Sequence, residues 1–445
     1  MAHTSTASIK AARGLAAGLI ALSVYRAVTQ SVTPGEAWNY NVYIAPEWTQ
    51  AFSGFDSNNH FLNTLLVRIV ATRLHITELW LRLPSLLCGG LYLAAAWRLA
   101  RRMGSGAVFL AGFGMLTLHP MIVDGLSEAR GYGMGLAFWS WGLVLLLECC
   151  EADSRRKLNL AGVCLGLSVA SAPAFLAPAS ALVLVFAAWK RGRGGEVAAC
   201  AFLTAFLLLV IPVNHAEWKP LAVGATSLRQ TINELSRLTF GSANTVLAAV
   251  ARVGVAVVAI VGAAAAWTER RQDDGLTVLT GGTLAVSLML LLLAHGWKQV
   301  PFPQGGSIYL VILLELVFMQ LLLKLHTRTA QITLLVLPVL LVGRYLTELP
   351  LGAYAAGRDV SGGRELAKHL RTATGDSVVR IGATPGAAPI LEFYKTRYRK
   401  GNWQVVSNPP GDGAEFSVSL AGEPAAAGQL RVLYHDQGMT LYQRF

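Results

Sequence analysis

The chain has 445 residues, of which 54% are hydrophobic and only 14% are charged. Because soluble domains carry roughly 25% charged residues, much of this protein's surface must face lipid. The net charge of +12 comes from 37 basic and 25 acidic residues, and the basic residues lie in short clusters between apolar runs. Nucleic-acid binding requires a concentrated basic face, so we exclude it; the clusters instead indicate a polytopic membrane protein.

About eleven apolar runs approach the length of roughly 20 residues that a membrane-spanning helix needs. Pro173 and Pro178 interrupt one long run, and we treat its halves as two helices because the basic clusters then all fall on the cytoplasmic side. The first run lacks a small-residue cleavage site and is predicted to be an uncleaved helix with a cytoplasmic amino terminus. The runs lie near 13–30, 81–99, 107–122, 131–149, 158–172, 174–189, 197–213, 243–267, 276–295, 306–323 and 329–346.

From about residue 350 the long apolar runs end and helical patterns alternate with short apolar strands. This alternation predicts a small extracytoplasmic α/β domain over 350–445, after a membrane domain over 1–349. The predicted helices lie at 362–372 and 389–395, and the predicted strands at 378–381, 404–406, 416–419 and 430–434.

No motif in the sequence requires a cofactor. The five cysteines lie in or at the ends of apolar runs without metal-ligand or redox spacing. Nucleotide-binding, zinc and hydrolase signatures are also absent from the sequence. A divalent metal could bind only through carboxylates, whose spacing does not demand one.

The first large outer loop, 31–80, is the predicted catalytic loop. Glu36 follows the first apolar run closely and lies near Tyr40. Ionisable groups at a lipid boundary are costly and usually serve substrate binding or chemistry, so Glu36 is a candidate general base. The equally weighted alternative is an interfacial aromatic belt that contains an incidental acid.

A second polar cluster in this loop contains Asp56, Asn59 and His60. Asp and Asn commonly cap helices, and a helical pattern begins near Phe61. Capping and function are compatible, since a helix amino terminus also attracts anions. As a single histidine, His60 is more often a satisfied polar residue than a ligand.

A third cluster, Glu128, Arg130 and Tyr132, lies on the same outer side at the start of the next span. Arginine binds phosphate well through its planar guanidinium, whereas an exposed Glu–Arg pair contributes little in water. Lys298 is a weaker candidate, because basic residues near helix ends commonly extend toward the interface.

Several of these segments resemble the membrane glycosyltransferases of the GT-C fold, and particularly bacterial glycosyltransferase family 39. That family includes protein O-mannosyltransferase and aminoarabinose transferase relatives. The resemblance rests on the acidic first loop and on the segments Asp56–His60, Leu81–Ser85, Glu128–Tyr132 and Leu391–Tyr394.

The resemblance implies transfer of a sugar from a polyprenyl-phosphate donor to an acceptor hydroxyl on a glycan, lipid or protein. The reaction would occur at the outer face of the bacterial inner membrane. Relatives begin the first loop with Asp-Glu, and here Gly35-Glu36 leaves Glu36 as the catalytic acid. The implied roles are Glu36 as base, Asp56 in orienting the acceptor, His60, Arg130 and Lys298 in binding the donor phosphate, and Tyr40, Asn59, Glu128 and Tyr132 in supporting the acceptor or the site.

Two other functions fit the same sequence. A lipid transporter or flippase would need ionisable groups near the bilayer midplane, and Glu315 lies near the middle of an apolar run. A catalytically inactive relative that only binds prenyl lipid is compatible with Gly35.

Overall fold

The computed structural model describes most of the chain, and every structural statement below concerns the described residues. These are residues 6–47, 59–71, 73–190, 192–214, 224–240, 245–272, 274–325, 328–349, 351, 354, 362–407, 414–420, 430–436 and 438–444.

The membrane part is a bundle of helices. Each of the predicted apolar runs forms a helix, and shorter helices lie between them. The helices are α1 Thr6–Thr29, α2 Pro34–Asn39, α3 Phe61–Ala71, α4 Glu78–Met103, α5 Gly106–Leu118, α6 Pro120–Gly125, α7 Tyr132–Glu151, α8 Arg155–Ser171, α9 Leu176–Trp189, α10 Gly194–Asn214, α11 Leu228–Phe240, α12 Thr245–Glu269, α13 Gly275–Lys298, α14 Ile308–Leu323 and α15 Arg328–Thr347.

Seven helices in the described part of the chain are long and apolar enough to cross a membrane: α1, α4, α7, α10, α12, α13 and α14. Helix α5, the 173–189 segment that contains α9, and the later part of α15 are shorter apolar helices. The predicted positions of the apolar helices therefore agree with the structure, whereas a total of eleven spans is not confirmed.

Ion pairs join several helices at one end of the bundle. At this end, Glu148 at the close of α7 contacts both Arg98 of α4 and Lys157 of α8. Lys324, just after α14, contacts Glu269 and Asp274 at 2.9 Å each. Helix α4 is about 39 Å long at 1.5 Å per residue, so its first turn lies at the other end, where α7 also begins.

The C-terminal part forms a five-stranded mixed sheet with two helices. The strand order is β2-β1-β3-β5-β4; β1 pairs in parallel with β2 and β3, and β5 pairs antiparallel with β3 and β4. The predicted strands and helices are all present, while β5 was not predicted. The elements are α16 Gly363–Thr374, β1 Val379–Ala383, α17 Ala388–Tyr398, β2 Trp403–Ser407, β3 Phe416–Leu420, β4 Leu430–His435 and β5 Met439–Arg444.

Helix α17 packs the sheet against the segment that follows α2. The Tyr40 ring meets Phe393 edge-on at 5.1 Å between centroids, and the side-chain amide of Asn41 donates to the carbonyl of Pro389 at 2.8 Å. The hydroxyl of Tyr394 donates to Glu78, the first residue of α4, at 3.0 Å. The sheet domain is thereby attached to the loop that contains the candidate site.

Candidate active site

Glu36 is held by four hydrogen bonds at the end of α1. Arg82 binds both carboxylate oxygens, with Nε 2.8 Å from Oε1 and Nη2 2.6 Å from Oε2. The backbone N–H of Ala129 donates to Oε1 at 2.8 Å, and that of Thr33 donates to Oε2 at 2.9 Å. Because a carboxylate has about four acceptor positions, this set of donors fills them.

The local sequence explains how Glu36 reaches this position. Thr33 and Glu36 form a reciprocal capping box at the start of α2, with Pro34 in the first helical turn. Arg82 also donates to backbone carbonyls around the end of α1, where a helix leaves carbonyl groups without backbone partners. The acceptors are the carbonyls of Arg26, Ala27, Gln30 and Ser31.

The surroundings of Glu36 keep it ionised. Burial alone would raise its pKa, but Arg82 and the two backbone N–H groups outweigh burial and hold the pKa below the usual value for glutamate. A low pKa and filled acceptor positions suit an ion-pair anchor better than a proton acceptor. The role of Glu36 as a base stays a prediction, which would require at least one of these donors to move away.

A second buried ion pair lies beside the first. Nη2 of Arg26 in α1 donates to Asp124 of α6 at 2.6 Å, and the ring of Tyr354 packs against the guanidinium groups of Arg26 and Arg82. The Tyr354 hydroxyl lies 3.3 Å from that of Ser127. These contacts fix the loop between α6 and α7 against α1 and α4.

Glu128 lies in that same loop and accepts fewer hydrogen bonds than Glu36. The Thr33 hydroxyl donates to its Oε1 at 3.2 Å, and Nη1 of Arg130 is 3.9 Å from the same oxygen. Burial raises the pKa of Glu128 to about 7; Arg130 opposes this effect, while the nearby carboxylates of Glu36 and Asp124 add to it. Glu128 can therefore exchange a proton near neutral pH.

Arg130 fills the space beside Gly35. A Cβ on Gly35 would lie 2.8 Å from Nε of Arg130. The guanidinium packs over the Tyr132 ring at 5.3 Å, its side chain is 25% exposed, and within the described residues its charged contact is the one with Glu128. An arginine with free donors at the head of α7 can bind an anion.

His60 lies behind this arginine, away from solvent. Its ring meets Tyr132 edge-on at 4.6 Å between centroids, and the side chain is buried. Burial and, to a smaller extent, Arg130 lower the pKa of His60 to about 3, although the Ser171 carbonyl acts in the opposite direction. The imidazole is thus neutral at physiological pH, and its predicted phosphate contact remains a prediction.

Gly131 allows this close arrangement. It precedes α7 with a φ of +71°, a left-handed conformation that favours glycine. A Cβ here would lie 2.4 Å from the Ser171 carbonyl oxygen and 2.7 Å from Cβ of His60. The Arg-Gly-Tyr order therefore places Arg130 and Tyr132 on either side of a backbone position that accepts only glycine.

The remaining predicted residues fall into three groups. Asn59 is buried and accepts from the Thr64 hydroxyl at 3.2 Å, while Tyr40 packs against α17, and their supporting role in the site stays a prediction. Lys298 is an exposed residue that lies over Trp297 at the end of α13. The backbone after it returns to the site, where Gly305 and Tyr132 meet. Asp56 lies outside the described residues.

The residues that hold Glu36 in place were not predicted as functional. By its position in the sequence, Arg82 is typical of a basic residue that extends from a helix end to the interface, and Arg26 and Thr33 carry no signal of a catalytic role. The Thr33-x-x-Glu36 spacing is a capping-box signal that was readable in the sequence. Among the described residues, no group of three or more His, Cys, Asp and Glu side chains could hold a metal ion.

Comparisons with known proteins fit this architecture. Residues 62–218 match the family described as dolichyl-phosphate-mannose-protein mannosyltransferase, and no curated protein matches the sequence significantly. The crystal structure of apo ArnT from Cupriavidus metallidurans is similar, with 13% identity, coverage of 97% of this chain and 98% of that chain, and a TM-score of 0.54. The structure of ArnT from the same organism bound to undecaprenyl phosphate gives 12% identity, coverage of 96% and 97%, and a TM-score of 0.54.

At this identity the structural similarity shows the fold, and the family match covers about a third of the chain. The helical bundle with a small C-terminal sheet domain agrees with the architecture predicted from the sequence. The chain therefore has the fold of the membrane glycosyltransferase ArnT, and within it residues 62–218 match the dolichyl-phosphate-mannose-protein mannosyltransferase family, which is glycosyltransferase family 39-like.

Proposed function

We propose that this enzyme transfers a sugar from a polyprenyl-phosphate donor to an acceptor hydroxyl at the extracytoplasmic face of the bacterial inner membrane. The observation that carries the proposal is the position of Arg130, two residues before the start of α7. Its guanidinium has free donors and lies beside Glu128, a carboxyl that titrates near neutral pH. A similar fold binds undecaprenyl phosphate in ArnT, which supports a lipid-phosphate donor here.

In this reaction the acceptor oxygen attacks the anomeric carbon, and the lipid phosphate leaves from the opposite face. Negative charge grows on the departing phosphate, and a preorganised cation at that position stabilises the transition state. Arg130 is the leading candidate for this role. Lys298 would contribute from the exposed end of α13, and His60 would contribute as a neutral group behind Tyr132.

The acceptor proton needs a base. The carboxylates considered are Glu36, the assignment from the sequence, and Glu128; Asp56 is proposed to orient the acceptor. For Glu36 to accept a proton, at least one of its four hydrogen bonds must break. Glu36 also orders Arg82 and the end of α1, so substitution of Glu36 would impair transfer in either role.

The proposed orientation rests on the basic residues at the end of the bundle where α4 and α7 terminate. The end with Arg98, Lys157 and Lys324 is the cytoplasmic end under the positive-inside rule. The site and the attached sheet domain then lie outside, where a carboxy-terminal alkaline phosphatase fusion should be active. An inactive fusion would contradict this orientation.

The decisive experiment uses the full chain in proteoliposomes with a radiolabelled undecaprenyl-phosphate-linked sugar and candidate glycan, lipid and protein acceptors. Transfer to an acceptor supports the proposal, and Arg130→Gln should reduce it by roughly 10²–10³-fold, the usual cost of losing such a donor. Movement of intact donor across the bilayer would indicate a flippase. Binding without turnover would indicate an inactive relative.

One buried acid bears on the flippase alternative. Glu315 lies within α14 and accepts a hydrogen bond from the Tyr345 hydroxyl at 3.3 Å. This contact is consistent with a packing role between α14 and α15. Glu315→Gln should therefore leave sugar transfer largely unchanged, whereas a transport role would make it essential.

A further inference from the structure

We propose that Glu128 is the catalytic base that takes the proton from the acceptor hydroxyl, with Arg130 beside it to receive the departing phosphate. This assignment rests on the proposed sugar transfer. It places the base at Glu128, whereas the sequence indicated Glu36.

The first argument is the hydrogen-bond capacity of four acids near the site. Glu36 accepts four hydrogen bonds. Asp124 is paired with Arg26 at 2.6 Å, and Glu78 contacts Arg364, Arg397 and Tyr394. Glu128 accepts one hydrogen bond, from the Thr33 hydroxyl to Oε1, so of these four acids it has the most unused acceptor capacity for a substrate hydroxyl.

The second argument is access. The Glu128 side chain is 12% exposed and that of Arg130 is 25% exposed, whereas the Glu36 and Arg82 side chains are both fully buried. A base must come within hydrogen-bond reach of the proton that it removes. In the described structure Glu128 offers an oxygen to a substrate without the loss of an ion pair.

The third argument is electrostatic. The charged groups around Glu128 are Arg130 in its own loop, Glu36 from α2 and Asp124 from α6, together with the Arg82 and Arg26 partners of those acids. Burial and the two acids favour the protonated form of Glu128, and Arg130 and the Thr33 hydroxyl favour the ionised form. The resulting balance near neutral pH suits a group that must accept and then release a proton.

The step can be written with its charges balanced. The acceptor oxygen forms a bond to the anomeric carbon as its proton moves to Oε2 of Glu128. The bond between that carbon and the phosphate oxygen breaks, and its electron pair stays on the phosphate. Arg130 faces a carboxylate before the step and a neutral carboxyl after it, so its charge becomes available as the phosphate gains one. The Glu128 proton then leaves to solvent.

The test compares wild-type protein, Glu128→Gln and Glu128→Asp in proteoliposomes over about pH 5 to about pH 9. The exposed Glu365→Gln variant, which loses only a contact with Lys368 on α16, is the matched control. We expect the wild-type rate to rise with pH around a midpoint near 7. Glu128→Gln should lower the rate by about 10²-fold or more and abolish that rise, and Glu128→Asp should retain partial activity with a displaced midpoint.

Binding of undecaprenyl phosphate to each variant separates chemistry from folding. Glu128→Gln should bind this lipid within about twofold of wild type, since the Arg130 cation remains. A wild-type rate and pH profile in Glu128→Gln, or a wild-type profile without an inflection near neutral pH, would overturn the assignment. If wild-type protein binds the lipid but transfers no sugar from any donor, the proposed function fails and the base assignment fails with it.

If Glu128→Gln does not fold, infrared titration of wild-type and Glu128→Asp protein replaces it. A carboxyl band that titrates near pH 7 in wild type and shifts in Glu128→Asp supports the assignment. A wild-type spectrum without such a band contradicts it.

Discussion

The guanidinium of Arg130 occupies the space next to Gly35, so that a Cβ on residue 35 would lie 2.8 Å from Nε and 3.0 Å from Cζ. This contact links the start of α2 to the loop before α7. The size of residue 35 therefore controls where the arginine can lie, in addition to any chemical role that a larger side chain would have.

Gly35→Ala should weaken lipid-phosphate binding with little change in fold stability. The clashing atoms belong to a flexible side chain, so Arg130 can move, but it then leaves its position beside Glu128. We expect the affinity for undecaprenyl phosphate to fall by about tenfold, which is about 1.4 kcal/mol. Gly90→Ala in α4 is the control, because a Cβ there meets no atom within 4 Å. Equal affinities for the two variants would contradict this account of Arg130.

Removal of either partner of the Glu36–Arg82 pair should destabilise the protein strongly. Both side chains are fully buried, and breaking a buried pair typically costs about 3–5 kcal/mol because the remaining charge is unpaired. We expect Glu36→Gln and Arg82→Met each to lower the unfolding temperature in detergent. The double variant should lose less than the sum of the single losses, and simple additivity would show that the two groups do not interact.

The pH dependence of this pair follows from the lowered pKa of Glu36. A group whose pKa is lower in the folded state contributes stability above its unfolded value, about 4.3 for glutamate. The contribution is lost as the pH falls through the folded value. Wild type and Glu36→Gln should therefore differ by a constant amount at neutral pH and converge only in acid, as thermal unfolding over pH can measure.

Glu128 should show the opposite dependence. Its pKa is raised to about 7 from 4.5, so the folded protein keeps a proton that the unfolded chain has lost, and stability falls as the pH rises between these values. Glu128→Gln should match wild type near pH 5 and exceed it near pH 8 by roughly 3 kcal/mol at most, at 1.36 kcal/mol per pH unit. A constant difference across this range would show that Glu128 is not protonated in the folded state.

Glu78 should control the attachment of the sheet domain. This buried carboxylate at the start of α4 contacts Arg397 and Tyr394 of α17. Its replacement by alanine leaves the half-buried Arg397 without this partner, so we expect faster hydrogen exchange in α17 and reduced transfer. Glu365→Ala is the control, since its contact with Lys368 is half exposed and exposed pairs contribute about 0–1 kcal/mol. Unchanged exchange in α17 after Glu78→Ala would argue against this attachment.

The sequence was sufficient to locate the helices and most of the sheet. A membrane-spanning helix is determined mainly by the length and polarity of one continuous segment, and helices formed at all of the predicted positions. The last strand, Met439–Arg444, is not predicted because half of its residues are polar. Its pairing with β3 and β4 supplies the contacts that its own composition does not indicate.

The site was predicted only in part. The sequence placed Glu36, Glu128 and Arg130 on one side of the membrane, and the structure brings them together around Thr33. It could not show that Arg82 binds Glu36, because the two residues are 46 positions apart and an arginine near a helix end usually extends toward water.

Composition and motif spacing by themselves thus determined the membrane class, the positions of the helices and the family resemblance, since these depend on local runs of residues. Only the tertiary structure decided which carboxylate has its acceptor positions filled by protein donors and which can still accept a hydrogen bond. Burial, opposing charge and available hydrogen-bond donors set the state of an acid, and all three come from chain segments that are distant in sequence. For this reason Glu36 and Glu128, similar acids at one membrane face, differ in their capacity to accept a proton.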